Sequence, residues 1–150
     1  MKLIIGSHVS FKKEDGLLGS VKEALSYKAN TFMFYTGAPQ NAKRLPINME
    51  LVDEAKKMMI DNGIDINNVI VHAPYIINLA NGDDFAVSFL RQEVERCIKI
   101  GINKLVLHPG SYVSLSKEEG INNIVLGLNK ILNKDMNIKI LLETMAGKGT

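Results

Sequence analysis

Five short apolar runs, separated by longer amphipathic segments, constrain what this chain of 150 residues can become. They are KLIIG (2–6), TFMFY (31–35), VIVH (69–72), KLVLH (104–108) and IKILLE (138–143). Each is too short for a helix and continuously apolar rather than alternating, the pattern of strands covered on both faces. Such strands are parallel and are joined by right-handed helical crossovers. The chain therefore reads β-α-β-α-β-α-β-α-β. Two architectures fit, an open doubly wound sheet or part of a (β/α)₈ barrel. Residues 6–11 are GSHVSF, so no G-x-G-x-x-G follows the first strand and a dinucleotide fold loses support.

The intervening segments carry helix punctuation. In GLLGSVKEALSYKA, Ser20 stands three residues before Glu23, the spacing of a capping box. NMELVDEAKKMMIDNG stops at Asn62-Gly63. DDFAVSFLRQEVERCIKIG opens on two acids and closes on Gly101, as the helix dipole and the C-terminal glycine preference require. SKEEGINNIVLGLNKILNK opens on Ser116 and Glu119, a second capping-box pattern. The segment 36–48, TGAPQNAKRLPIN, is the one long connection, and such loops often carry function. No linker or composition shift divides residues 1–150, which read as one domain.

Composition narrows the setting. Eighteen Lys and Arg against sixteen Asp and Glu leave a net charge of +2, too little to argue for nucleic acid from the global field. The single Cys97 excludes an internal disulfide and fits a reducing compartment; beside Ile98 in mid-helix it reads as a packed thiol. Met33, Met58 and Met59 read as core filler. The N-terminal apolar run is too short for a signal sequence or a membrane span, so the expectation is a soluble, cytoplasmic protein.

Chemistry gathers where the strands end. The third run closes on His72, the fourth on His108 and the fifth on Glu143. In parallel α/β sheets the C-terminal strand ends form the ligand-binding edge. Neighbouring strands lie about 4.8 Å apart, so three side chains at one height converge. Two imidazoles and a carboxylate with an open fourth position form a catalytic zinc set. One strand-end histidine is most often a hydrogen-bonded structural residue; two, with an acid on the next strand, reverse that reading. His8 ends the first strand without such company and reads as an outer or phosphate-facing residue. Tyr75 and Ile76, braced by Pro74, resemble apolar wedges that enter a base stack, although a pair packed under a loop would look the same. Gln40, Asn41, Lys43 and Arg44 suit phosphate or groove contacts, or plain solvation. The terminal AGKGT is not a phosphate loop, because Leu142 and Gly149 stand where Gly and Ser or Thr are needed.

The segments IGSHVS, VHAPYIINLAN, LHPGS and LETMAGKG together resemble endonuclease IV, the zinc-dependent abasic-site endonucleases of base-excision repair. The resemblance runs in order along the whole chain. It implies a TIM barrel, of which this chain holds the first five strands and four helices. It implies that His72, His108 and Glu143 are zinc ligands, with Glu143 shared between two zincs and catalytic. A complete member holds up to three zincs and cuts double-stranded DNA 5′ to the abasic site; here the protein ligands of one zinc at most are complete. By the same resemblance Tyr75, Ile76, Gln40 and Asn41 contact DNA. A half-barrel would expose two sheet edges, through which copies could associate, and its own incision activity is expected to be weak or absent. Two alternatives stand beside this one: a sugar isomerase or epimerase resembling xylose isomerase, and a non-catalytic half-barrel that binds zinc or DNA.

Overall fold

The computed structural model describes residues 3–145; the terminal AGKGT stretch lies outside them. Five parallel strands form one sheet in sequential order: β1 (Gly6–His8), β2 (Thr31–Phe34), β3 (Ile70–His72), β4 (Lys104–Leu107) and β5 (Lys139–Leu142). Four helices cross between them: α1 (Gly16–Ser26), α2 (Met49–Asp61), α3 (Asp84–Ile100) and α4 (Lys117–Ile131). Sequential order with every pair parallel is the topology of a β/α barrel rather than of a doubly wound sheet, whose order reverses at a switch point.

The helices sit where their punctuation puts them, with one exception. Asn48 caps α2 and Asn62 ends it before Gly63; Asp83 caps α3 and Gly101 ends it in the left-handed region at φ 88°. Ser116 and Glu119 form a complete capping box on α4. The Ser20–Glu23 pair does not cap. Helix α1 begins a turn earlier, and Ser20 is buried inside it, donating to the Ser10 carbonyl at 2.6 Å. Glu23 instead receives the backbone N–H of Ser10 at 3.1 Å and its hydroxyl.

The first strand also differs from expectation. Pairing starts at Gly6, and Asn30 replaces the ladder before it, its side chain bonded to Ile5 N and Leu3 O, each at 2.8 Å. Leu3, Ile4 and Ile5 are exposed.

Burial on the inner strands alternates. Phe32, Phe34, Val71, Leu105 and Leu107 are buried in the main core, whereas Met33, Ile70 and Val106 on the other face are only half-buried. The helix-facing side is thus closed and the side that lines a barrel is open, so coverage of both faces is only partly realised. On α3 the core stripe is Ala86, Phe89, Leu90, Glu93, Val94, Cys97 and Ile100, helical spacing with one carboxylate in it. Cys97 is a packed thiol, and burial pushes its pKa up. Among the described residues no helix is long and apolar enough to cross a membrane.

Candidate metal centre

Strand register brings the three donors together. His72 is the last residue of β3, while His108 and Glu143 follow the last residues of β4 and β5. The ladder continues past the strands, with Ala73 N donating to Val106 O at 2.8 Å and Glu143 N to Leu107 O at 3.0 Å. These bonds fix the backbone that carries each donor. One ligand atom from each of His72, His108 and Glu143 lies within 4.8 Å of the others. His72 Nε2 is 2.9 Å from Glu143 Oε2, and His108 Nε2 is 3.3 Å from the same oxygen.

The tautomer of His72 follows from its other nitrogen. Nδ1 lies 2.7 Å from the carbonyl oxygen of Ala73, which can only accept, so Nδ1 carries the proton. In the neutral ring Nε2 then presents a lone pair toward a carboxylate oxygen that is itself an acceptor. Two acceptors at 2.9 Å need a positive charge between them, either a second ring proton or a metal ion. A histidine held by Nδ1–H on a backbone carbonyl is also the usual support for a metal-ligating Nε2. The donor set therefore fits zinc, with three protein ligands and room for a fourth. In the absence of a metal the contact with His72, whose Nε2 donates when it carries the second ring proton, holds the Glu143 carboxyl below the usual carboxylate range, with His108 adding to it, so this group is an anion at neutral pH.

Aromatic rings extend the site along the strand ends. His8, Tyr35, His72 and His108 stand in succession, with centroids 4.6, 5.1 and 5.1 Å apart. His8 is not among the converging donors. Desolvation, and then the neighbouring His72, lower its pKa, which leaves it a neutral ring beside Tyr35.

The loops after β3 and β4 are tied to each other. Asn78 Nδ2 donates to Ser111 O and Ser111 N returns a bond to Asn78 Oδ1, both at 2.9 Å. Gly110 makes this approach possible: its φ is 105°, and a Cβ there would lie 2.1 Å from Asn78 Oδ1. The lock joins the segment that carries Tyr75 and Ile76 to the one that follows His108. Tyr75 projects, 52% exposed, whereas Ile76 is half-buried against the core. Gln40 and Asn41 are both exposed in the loop after β2, but Asn41 Oδ1 accepts from Lys43 N at 2.8 Å and is committed to the loop itself. A cleft of about 560 Å³ is lined by this loop, Asn41 included, together with Phe11, Leu17, Leu51 and Lys12, and none of the three donors lines it.

Asn78, Gly110 and Glu93 carry roles that the sequence reading passed over. For Glu93 a signal existed: it falls on the apolar stripe of α3, where an unpaired carboxylate cannot stay.

Comparison with known proteins follows the same lines. A family model described as xylose isomerase-like TIM barrel matches residues 21–150. The chain is 56% identical over 153 residues to a "Probable endonuclease 4" of Acholeplasma laidlawii, covering 98% of this chain and 52% of that protein. It is 48% identical over 153 residues to the protein of that name from Bacillus subtilis, covering 99% and 51% respectively. The crystal structure of endonuclease IV from Thermus thermophilus superposes with a TM-score of 0.76 over 97% of this chain and 54% of that one, at 21% identity, a likeness of fold alone. The chain spans about half the length of the curated relatives it matches.

Proposed function

The chain belongs to the xylose isomerase-like TIM barrel family, and from that premise we propose that it carries a zinc site of an abasic-site endonuclease, which hydrolyses the phosphodiester 5′ to an abasic site in duplex DNA. The observation that carries this reading is the convergence of His72, His108 and Glu143, with His72 held as the tautomer whose Nε2 lone pair faces the other donors. The near-half identity to proteins called probable endonuclease 4 supports the same choice of chemistry.

The three donors would hold one zinc. When bound there it supplies Lewis-acid polarisation of a phosphoryl oxygen and water acidified to a pKa of roughly 7. The chain's own groups do the rest of the positioning. Ala73 O fixes the His72 ring, and Glu143 stays ionised and oriented by both imidazoles. Tyr75, three residues past His72, is an exposed aromatic, suited to filling the gap left when an abasic nucleotide leaves the stack. Such a nucleotide is cheap to extrude, because no base must be unpaired. The sugar-isomerase alternative has less support, because the relatives at near-half identity are called probable endonuclease 4. The setting that fits is the cytoplasm, with copies of the chain associating through the exposed sheet edges.

The test is binding of zinc-loaded chain to a duplex containing one tetrahydrofuran abasic analogue, against the same duplex intact. The expected result is at least a tenfold preference for the abasic duplex, lost in Tyr75→Ala, with incision weak or absent. Equal affinity for both duplexes would remove the endonuclease reading and leave a zinc-binding half-barrel.

A further inference from the structure

We propose that Glu93 on α3 is a positioning residue for the DNA-facing tip of the loop after β2, acting through Arg44 and Thr36. This rests on the reading of the chain as an abasic-DNA protein and assigns a task to residues outside the donor set. Glu93 is fully buried, and each carboxylate oxygen has one partner. Oε1 accepts from Arg44 Nε at 2.5 Å and Oε2 from the Thr36 hydroxyl at 2.6 Å. Arg96, one turn further along α3, donates to Thr36 Oγ1 at 3.0 Å, Thr36 O at 2.8 Å and Leu45 O at 2.8 Å. One helix face thus grips both ends of the loop.

The guanidinium of Arg44 carries that grip to the tip. Its side chain is 1% exposed, so it is shut off from phosphates, and it lies 4.8 Å from the Phe89 ring centroid. Nη1 donates to Ala38 O at 3.2 Å and to Asn41 O at 2.6 Å. Those two residues close a turn, with Asn41 N bonded to Ala38 O at 3.1 Å, and Pro39-Gln40 form its apex. One nitrogen of the planar guanidinium, Nη1, therefore holds both feet of the turn, while Nε of the same group is fixed to a carboxylate in the core. Gly37 leaves the space: a Cβ there would lie 3.1 Å from Arg44 Cδ. The exposed Gln40 and Asn41 are consequently presented on a braced turn, and a braced turn binds without first being ordered. The opposite end of the network is Thr36, next to Tyr35, whose ring stands 5.1 Å from His72.

The experiment is a double-mutant cycle on abasic-duplex affinity with zinc-loaded protein, paired with amide exchange. Glu93→Gln is combined with Gln40→Ala/Asn41→Ala. The expected result is a tenfold or greater loss of affinity in Glu93→Gln, faster exchange of the Asn41 and Lys43 amides, and no further loss when the tip is already removed. Arg44→Lys keeps the charge beside Glu93 but loses the guanidinium, so it reports on the brace if Glu93→Gln does not fold; it should show the same loss and the same lack of additivity. A wild type that prefers abasic duplex, with variants that bind equally well or whose losses add to that of the tip, overturns the positioning role alone. A wild type without that preference overturns the functional reading and this role with it.

Discussion

Nδ1 of His72 meets only a carbonyl oxygen, and that contact decides what its other nitrogen can do. The three donors were legible as residues, because each ends an apolar run; the tautomer was not, since it depends on a backbone oxygen whose direction only the fold sets. Glu93 was missed for a related reason: within DEKR-rich helices a glutamate reads as solvated until its place on the apolar stripe is weighed. Two predictions belong at this scale. Hydrogen bonds from Ser10 hold the Glu23 carboxyl below its ordinary pKa. A pKa lowered by folding contributes stability above the unfolded value, and that contribution is lost as pH falls through the folded one. Ser10→Ala should therefore be less stable than wild type at neutral pH, with the difference closing on acidification; urea melts from pH 7 down to 3 check this, and a constant difference would contradict it. The Cys97 thiol, buried with its pKa raised, should resist alkylation at pH 8 in the native protein and react on unfolding, as mass spectrometry after iodoacetamide would read.

At the scale of elements, strands and helices were read from local pattern and most stood where the pattern put them. Errors arose where tertiary contacts outbid local ones. Ser20 and Glu23 have capping-box spacing but face Ser10, which lies between β1 and α1, and Leu3 and Ile5 are apolar strand formers yet bond the Asn30 side chain through Leu3 O and Ile5 N. Helix α4 does carry its box, so Ser116→Ala should cost about 1 kcal/mol of stability, measured by chemical denaturation. The lock between the loops after β3 and β4 carries a sharper consequence. Gly110→Ala forces a side chain into the left-handed region and onto Asn78 Oδ1. It should cost about 1–3 kcal/mol of stability and, by shifting the segment after His108, weaken zinc binding about 10–100-fold. Zinc affinity equal to wild type in that variant would show that the lock does not orient the site.

Among the described residues the sheet runs from β1 to β5, each of which has one strand neighbour. Leu3, Ile4 and Ile5 stand exposed beside β1, Leu141 and Leu142 on β5, and Ile121, Val125 and Leu126 on α4. The alternation of elements made a parallel β/α sheet legible but left an open doubly wound sheet and a barrel both standing, and only the family resemblance chose the barrel; the half-covered inner face was not legible, because apolar runs record what a residue is suited to bury, not what is present to bury it. Exposed parallel edges recruit further strands, so the chain should associate with rising concentration in sedimentation velocity, and Ile4→Lys/Leu142→Lys should shift it toward monomer. The central claim is that the strand ends of β3, β4 and β5 build one metal site. It is tested most directly by titrating apo chain with zinc in a calorimeter, in wild type and in His72→Ala and His108→Ala. One zinc per chain in wild type, with affinity lost in both variants, is the predicted result. No binding in wild type, or binding unchanged when either imidazole is removed, would contradict it.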